Sequence, residues 1–284
     1  MPIFGVLALL LLLPVPAPAA AQTRDDAAAA PVERVPPAAE QRPATSVNRG
    51  LLTRFDATFT WGRLRTSDPR FAWRGEADFD LDIVDYGAGR IGFVARYEAV
   101  LGRERRRYDL NQGSYLFEAS SSIRTAPVEI MGVFQHWSRH TVDRENQPAV
   151  SWNTYGVRAS RDWVARGNSG WAGTRVEGEV DIAKAMQQAF VDYRWVSHGR
   201  AKMTRPVSPT LAIIVEATGD VIGVDEATRG SSRVCGGRIE GALRIEGRVA
   251  ALELYAGYER RIDAFPTDRY RVRAFIAGFR LRNW

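Results

Sequence analysis

The chain has 284 residues, 45% hydrophobic and 25% charged, with a net charge of +6 and a single cysteine, Cys235. One cysteine excludes an internal disulfide framework, and beyond the N-terminus no run approaches the ~18 consecutive apolar residues of a membrane-spanning helix. The basic excess is spread through strand-like segments, which argues against nucleic acid as a partner and for polyanionic lipid headgroups.

The N-terminus reads MPIFGVLALLLLLPVPAPAAAQ: an apolar run from Ile3 to Leu13, prolines at Pro14, Pro16 and Pro18, then Ala19-Ala20-Ala21. That order is the pattern of a secretory signal peptide over residues 1–21, too short and too proline-broken to anchor in a bilayer. Residues 22–50 are rich in Ala, Pro and charge and have no apolar periodicity, so they read as a disordered linker. Residues 51–284 remain for one folded domain.

Within that domain the hydrophobic period is two. Phe71, Trp73, Ala77, Phe79, Leu81 and Ile83 alternate with Arg74, Glu76, Asp78, Asp80 and Asp82, and Ile91, Phe93, Ala95 and Tyr97 alternate with residues that include Arg96 and Glu98. These runs are well beyond the usual strand of about 5–6 residues, so their apolar face needs a thick apolar environment. Strand-like segments recur near 53–64, 71–84, 90–102, 113–124, 128–140, 150–161, 171–182, 188–197, 209–218, 234–245, 248–260 and 269–282. The pattern predicts an all-β protein, an antiparallel transmembrane β-barrel of about 12 strands, in the outer membrane of a Gram-negative bacterium. Short turns at 85–89 and 124–127 would be periplasmic, longer ones at 103–112 and 141–149 extracellular, and 198–208 an unusually long periplasmic turn. The end, Gly278-Phe279-Arg280-Leu281 and then Trp284, looks like the terminal strand read by the barrel-assembly machinery.

The segment FQHWSRHTVDRENQPAVSWNTY, Phe134 to Tyr155, carries two of the three histidines. Glu129, Gln135 and Arg139 share one face and mark the lumen, so His136 and Ser138 face lipid. Arg158, Ser160 and Asp162 mark the lumen on the next strand, which turns Asn153 outward. A pairing of His136 with Asn153 sets Ser138 opposite Ser151. Unpaired polar groups facing hydrocarbon cost several kcal/mol, so a wall that is only a wall gains nothing from them. As a hydrolase, Ser138 would be the nucleophile, His136 the general base and Asn153 the group that orients the imidazole.

His136-Trp137-Ser138, a polar loop, and Ser151-Trp152-Asn153 resemble outer-membrane phospholipase A, a twelve-stranded barrel with H-x-S on one strand and S-W-N on the next. The resemblance covers about 20 residues and the general architecture. It implies an acyl ester of outer-leaflet lipid as substrate and calcium as cofactor, for which Asp143 and Glu145 are the nearby acids. Where the family has Asn-Gly after the serine this chain has Arg139-His140, and loss of one oxyanion donor costs about 10²–10³ in rate. The H-x-S motif is also similar to that of barrel lipid A deacylases, in which an acid orients the histidine. The longer run His136-x-Ser138-x-His140-x-x-Asp143 is similar to barrels with no assigned activity.

His140 reads as a rim residue, a second base or a metal ligand, with Arg139 and Ser151 as further accessory candidates. Arg103, Arg105, Arg106 and Arg107 fall in an extracellular loop, where they either clamp lipopolysaccharide phosphates or are simply solvated. Trp61, Trp73, Trp171 and Trp195 suit interfacial girdles. Two functions stay open: an acyl hydrolase of phospholipid or lipid A, and a non-catalytic barrel, either a narrow pore or a structural protein with a closed lumen. The oligomeric state, monomer or homodimer, also stays open.

Overall fold

A computed structural model of the protein describes residues 49–142, 149–166, 171–265, 269 and 271–283. The segment read as a signal peptide, nearly all of the one read as a linker, and Trp284 lie outside the described residues. Twelve strands follow in order: β1 (Gly50–Arg65), β2 (Trp73–Asp85), β3 (Arg90–Gly102), β4 (Asp109–Thr125), β5 (Val128–Thr141), β6 (Val150–Val164), β7 (Arg175–Ala189), β8 (Tyr193–Ser208), β9 (Leu211–Val224), β10 (Arg233–Glu246), β11 (Ala250–Arg261) and β12 (Val272–Asn283). One short helix, α1 (Glu226–Arg229), sits between β9 and β10.

Each strand pairs antiparallel with its sequence neighbours, and β12 closes onto β1, with Thr58 opposite Arg282 and Arg65 opposite Phe275. Closure removes every sheet edge, the condition for spanning hydrocarbon with strands. Alternation then sorts the side chains. Phe59, Phe79, Phe117, Phe134, Ile182, Leu254 and Phe275 are exposed on the outer wall, while the lumen is lined with charge. Such an inside-out distribution is stable only in lipid.

The strand number agrees with the sequence pattern, but the boundaries of β7 and β8 do not. Residues 183–187, read as a gap between strands, lie inside β7, because Ala183-Lys184-Ala185-Met186-Gln187 has the composition of a helix and hides a strand. Residues 198–208, read as a long turn, continue β8, and the turn is only Pro209-Thr210. Pro206 within it is tolerated where the register with β9 shifts between Pro206 and Ser208. The long periplasmic connector is instead 165–174, between β6 and β7.

Ion pairs cross-link the lumen. Arg158 meets Glu118 at 2.7 Å, Arg74 meets Glu259 at 2.6 Å, and Glu253 takes both Arg244 at 2.6 Å and Arg280 at 2.7 Å. Arg74, Glu118, Arg158, Glu259 and Arg280 of these pairs line a cavity of about 1080 Å³. At the extracellular end the lumen turns apolar: Trp137 and Trp152 stack at 5.7 Å, and Tyr193 meets Trp152 edge-on at 5.1 Å. Above them Arg229 of α1 ties three connectors together, reaching Asp192 at 2.6 Å and Asp263 at 2.8 Å. The Arg229 guanidinium holds the Asp192 carboxyl below its ordinary range through direct hydrogen bonds.

Candidate active site on the lipid-facing wall

Strands β4, β5 and β6 carry the candidate site. Their register sets His136 opposite Asn153 and Ser138 opposite Ser151, with Phe134 opposite Tyr155 one row deeper. On the other flank Tyr115 stands opposite Ser138, Phe117 opposite His136 and Gly113 opposite His140. Phe117, Phe134 and Tyr155 are exposed, so the whole row of histidine, serine and asparagine shares the outward face. Behind it, the stacked Trp137–Trp152 pair packs the inner face of the same two strands and gives the site a rigid base.

The hydrogen bonds divide these groups into two sets. Nδ1 of His136 lies 2.7 Å from Oδ1 of Asn153. The Asn153 Nδ2 donates in turn to Oε1 of Gln187 at 2.7 Å. Because the Asn153 amide nitrogen is turned to Gln187, its oxygen faces the imidazole and the Nδ1 must donate. The proton is thereby fixed on Nδ1, and Nε2 is left with a lone pair. The Ser138 hydroxyl is not on that ring: it sits 2.5 Å from Nε2 of His140. Sequence spacing paired Ser138 with His136, but the serine lies between two imidazoles, two residues away on either side, and rests on the later one. His140 is steadied by Tyr115, edge to face at 5.8 Å.

Gln187 has no counterpart in the sequence reading. The β6–β7 register shifts at this point, from Trp152 opposite Gln188 to Asn153 opposite Met186, so Gln187 is the extra residue of a β-bulge. Its φ of 49° is the left-handed conformation that non-glycine residues rarely hold. Bulges re-aim side chains and gather near active sites, and here the bulge brings the Gln187 amide to Asn153. The polar pair Gln187-Gln188 at the end of an otherwise alternating strand was the only local signal.

The remaining candidates separate. Arg139 points into the lumen, where Nη1 donates to the Asp263 carbonyl at 2.6 Å, so its guanidinium is remote from the outer wall. This corrects its place among the accessory residues; the odd phase that put Gln135 inside applies to Arg139 too. Ser151 stays on the outer wall opposite Ser138. Asp143 and Glu145 lie outside the described residues, and among the described residues no group of three or more His, Cys, Asp or Glu gathers as a metal site. Arg103, Arg105, Arg106 and Arg107 are exposed in the β3–β4 connector, with Arg107 over the Tyr108 ring at 5.4 Å. Trp61 and Trp73 stack at 6.0 Å on the outer wall as girdle residues.

No protein-family model matches the chain, and no curated protein matches it. Solved structures do. Outer membrane phospholipase A from Escherichia coli superposes with a TM-score of 0.50 at 10% identity, covering 81% of this chain and 97% of that one. The outer membrane protein Omp33 of Acinetobacter baumannii gives a TM-score of 0.38 at 13% identity, over 83% of this chain and 99% of the other. The likeness is one of fold. The chain is an outer-membrane β-barrel. Its closed wall of twelve strands, apolar outside and charged within, says the same from the residues themselves.

Proposed function

We propose that the barrel is an acyl-ester hydrolase of outer-leaflet lipid, working from its outer wall through Ser138, His136 and Asn153. One observation carries the reading: the Asn153 oxygen fixes the proton of His136 on Nδ1, on the same lipid-facing row as a serine hydroxyl. For catalysis the Ser138 hydroxyl turns from His140 to the free Nε2 of His136, a rotation about one side-chain bond. Its oxygen then attacks the acyl carbon while its proton passes to Nε2. Collapse of the tetrahedral intermediate breaks the ester C–O bond, and the leaving alcohol takes the proton from Nε2. Water repeats the sequence on the acyl-serine and releases the fatty acid. Phe117, Phe134 and Tyr155 give the acyl chain an apolar bed beside the serine.

Asparagine orients the ring without stabilising imidazolium as a carboxylate would. Arg139-His140 also replaces the Asn-Gly of the resembling family, so turnover is expected to be slow by about 10²–10³ relative to a complete oxyanion hole. Arg103, Arg105, Arg106 and Arg107 are proposed to hold headgroup phosphates near the rim. The deciding experiment incubates the purified full-length barrel with phospholipid vesicles and with lipid A, with and without calcium, and measures released fatty acid by mass spectrometry. Release that disappears in Ser138→Ala supports the reading. No release from either lipid under any condition leaves the non-catalytic barrel, its lumen closed by ion pairs, as the function.

A further inference from the structure

Across the barrel from this site, the outer rim of β11 and β12 contains an electrostatic anomaly. Arg260 stands directly opposite Arg273 in the β11–β12 register. Like charges directly opposite on paired strands destabilise each other, and no described acid pairs with either. Arg260 also has its Nε enclosed without a protein partner. One row deeper on the same outward face, Tyr258 stands opposite Phe275 with the rings edge-on at 5.2 Å. Such an aromatic pair marks the membrane interface, so the two arginines lie at the level where lipid phosphates sit.

A cavity of about 550 Å³ opens beside them, lined by Arg260, Arg271, Val272 and Arg273 and by Thr66, Ser67 and Asp68 of the β1–β2 connector. Asp68 in that lining is engaged by Arg70, Nη2 at 2.9 Å and Nε at 3.2 Å. The outward Arg63 and Arg65 of β1 extend the basic surface along the next strand. Three guanidinium forks around one concave space match a tetrahedral anion with several acceptor oxygens, and the hydroxyls of Thr66 and Ser67 add donors. We propose that Arg260, Arg271 and Arg273 form a phosphate-binding site on the outer rim, taking the phosphate of an outer-leaflet lipid headgroup or the same group free in solution. The bound phosphate relieves the Arg260–Arg273 repulsion and ties β11, β12 and the β1–β2 connector together.

The test uses the full chain in detergent with three probes: diphosphorylated lipid A, the same lipid A dephosphorylated, and inorganic phosphate, with binding followed by titration and native mass spectrometry. Three variants are compared: the triple variant Arg260→Gln, Arg271→Gln, Arg273→Gln; the single variant Arg273→Gln; and, as a control on the periplasmic side, Arg166→Gln. Heat-modifiable migration verifies that each is folded. The expected result is binding of a phosphorylated probe that weakens about tenfold or more in the triple variant and is unchanged in Arg166→Gln. Preference for diphosphorylated lipid A over inorganic phosphate identifies a lipid headgroup, and the reverse identifies free phosphate. Equal binding of phosphorylated and dephosphorylated lipid A with no uptake of inorganic phosphate overturns the proposal, as does a folded triple variant that binds like wild type. Should the triple variant fail to fold, Arg273→Gln decides by the same readout.

Discussion

His136 and Asn153 stand directly opposite one another on the lipid-facing wall, with Nδ1 of the ring 2.7 Å from the amide oxygen. That contact leaves Nε2 as the only basic atom of the ring, on the same face as Ser138. Ser138→Ala and His136→Ala are each expected to lower acyl release by about 10³-fold or more, and Asn153→Ala by about 10–100-fold, since an unheld ring still accepts a proton. Fatty-acid release per folded barrel measures all three. Full activity in Ser138→Ala would sink the assignment.

His140 holds the serine hydroxyl at rest, 2.5 Å from its Nε2. If this contact is only a resting position, His140→Ala keeps activity within about fivefold of wild type, because the attacking geometry uses the other ring. The opposite pattern, with His140→Ala inactive and His136→Ala active, would make His140 the base and reduce Asn153 to a wall residue.

Gln187 acts at one remove, through the Asn153 amide nitrogen. Gln187→Ala frees that amide to flip and is expected to lower kcat about 3–10-fold with KM unchanged, while Gln187→Glu, which still accepts from Nδ2, restores most of it. A loss in KM alone would show that the residue contacts lipid and does not position the ring.

The outward phase of His136, Ser138 and Asn153 was legible in the sequence because charge marks the lumen so densely: Gln135, Arg158 and Asp162 fix the parity of their strands, and parity alone sets the opposite face. Strand number was legible for the same reason. The bulge at Gln187 was not, since one inserted residue shifts parity only from that point on, in a segment whose Ala, Lys, Met and Gln carry no strand signature. Nor could spacing choose between His136 and His140 for the serine: both lie two residues away on one face, and the choice is made by a side-chain rotation that sequence does not encode.

Glu253 is fully buried in the lumen between Arg244 and Arg280. Removing it leaves two guanidinium groups facing each other, so Glu253→Ala is expected to destabilise the barrel by about 3–5 kcal/mol, and Glu253→Gln by less. Urea unfolding of the detergent-solubilised protein reads the shift. A midpoint unchanged in Glu253→Ala would mean that water in the lumen replaces the carboxylate without loss.

The extracellular clasp gives a pH dependence whose sign is fixed by Asp192. Arg229 of α1 bonds Asp192 and Asp263 at once, joining the β7–β8, β9–β10 and β11–β12 connectors, and Tyr193 adds a hydrogen bond to Asp263 at 2.8 Å. The Asp192 carboxyl is held below its ordinary value of 3.8 by the hydrogen bonds from Arg229. A depressed carboxyl contributes stability that is complete above its unfolded value and is lost as pH falls through its folded one. The clasp should therefore stay closed from pH 8 down to about 5 and open only below the ordinary value, so neutral-to-mildly-acid surroundings do not move it. Hydrogen exchange of residues 190–192 and 225–232, corrected for intrinsic rates, is expected to be flat over that range and to rise in stronger acid. Arg229→Ala should raise it at pH 7 to the level wild type reaches only in acid. Exchange that climbs between pH 7 and 5 in wild type, or does not change in Arg229→Ala, would show that something other than this ion pair closes the end of the barrel.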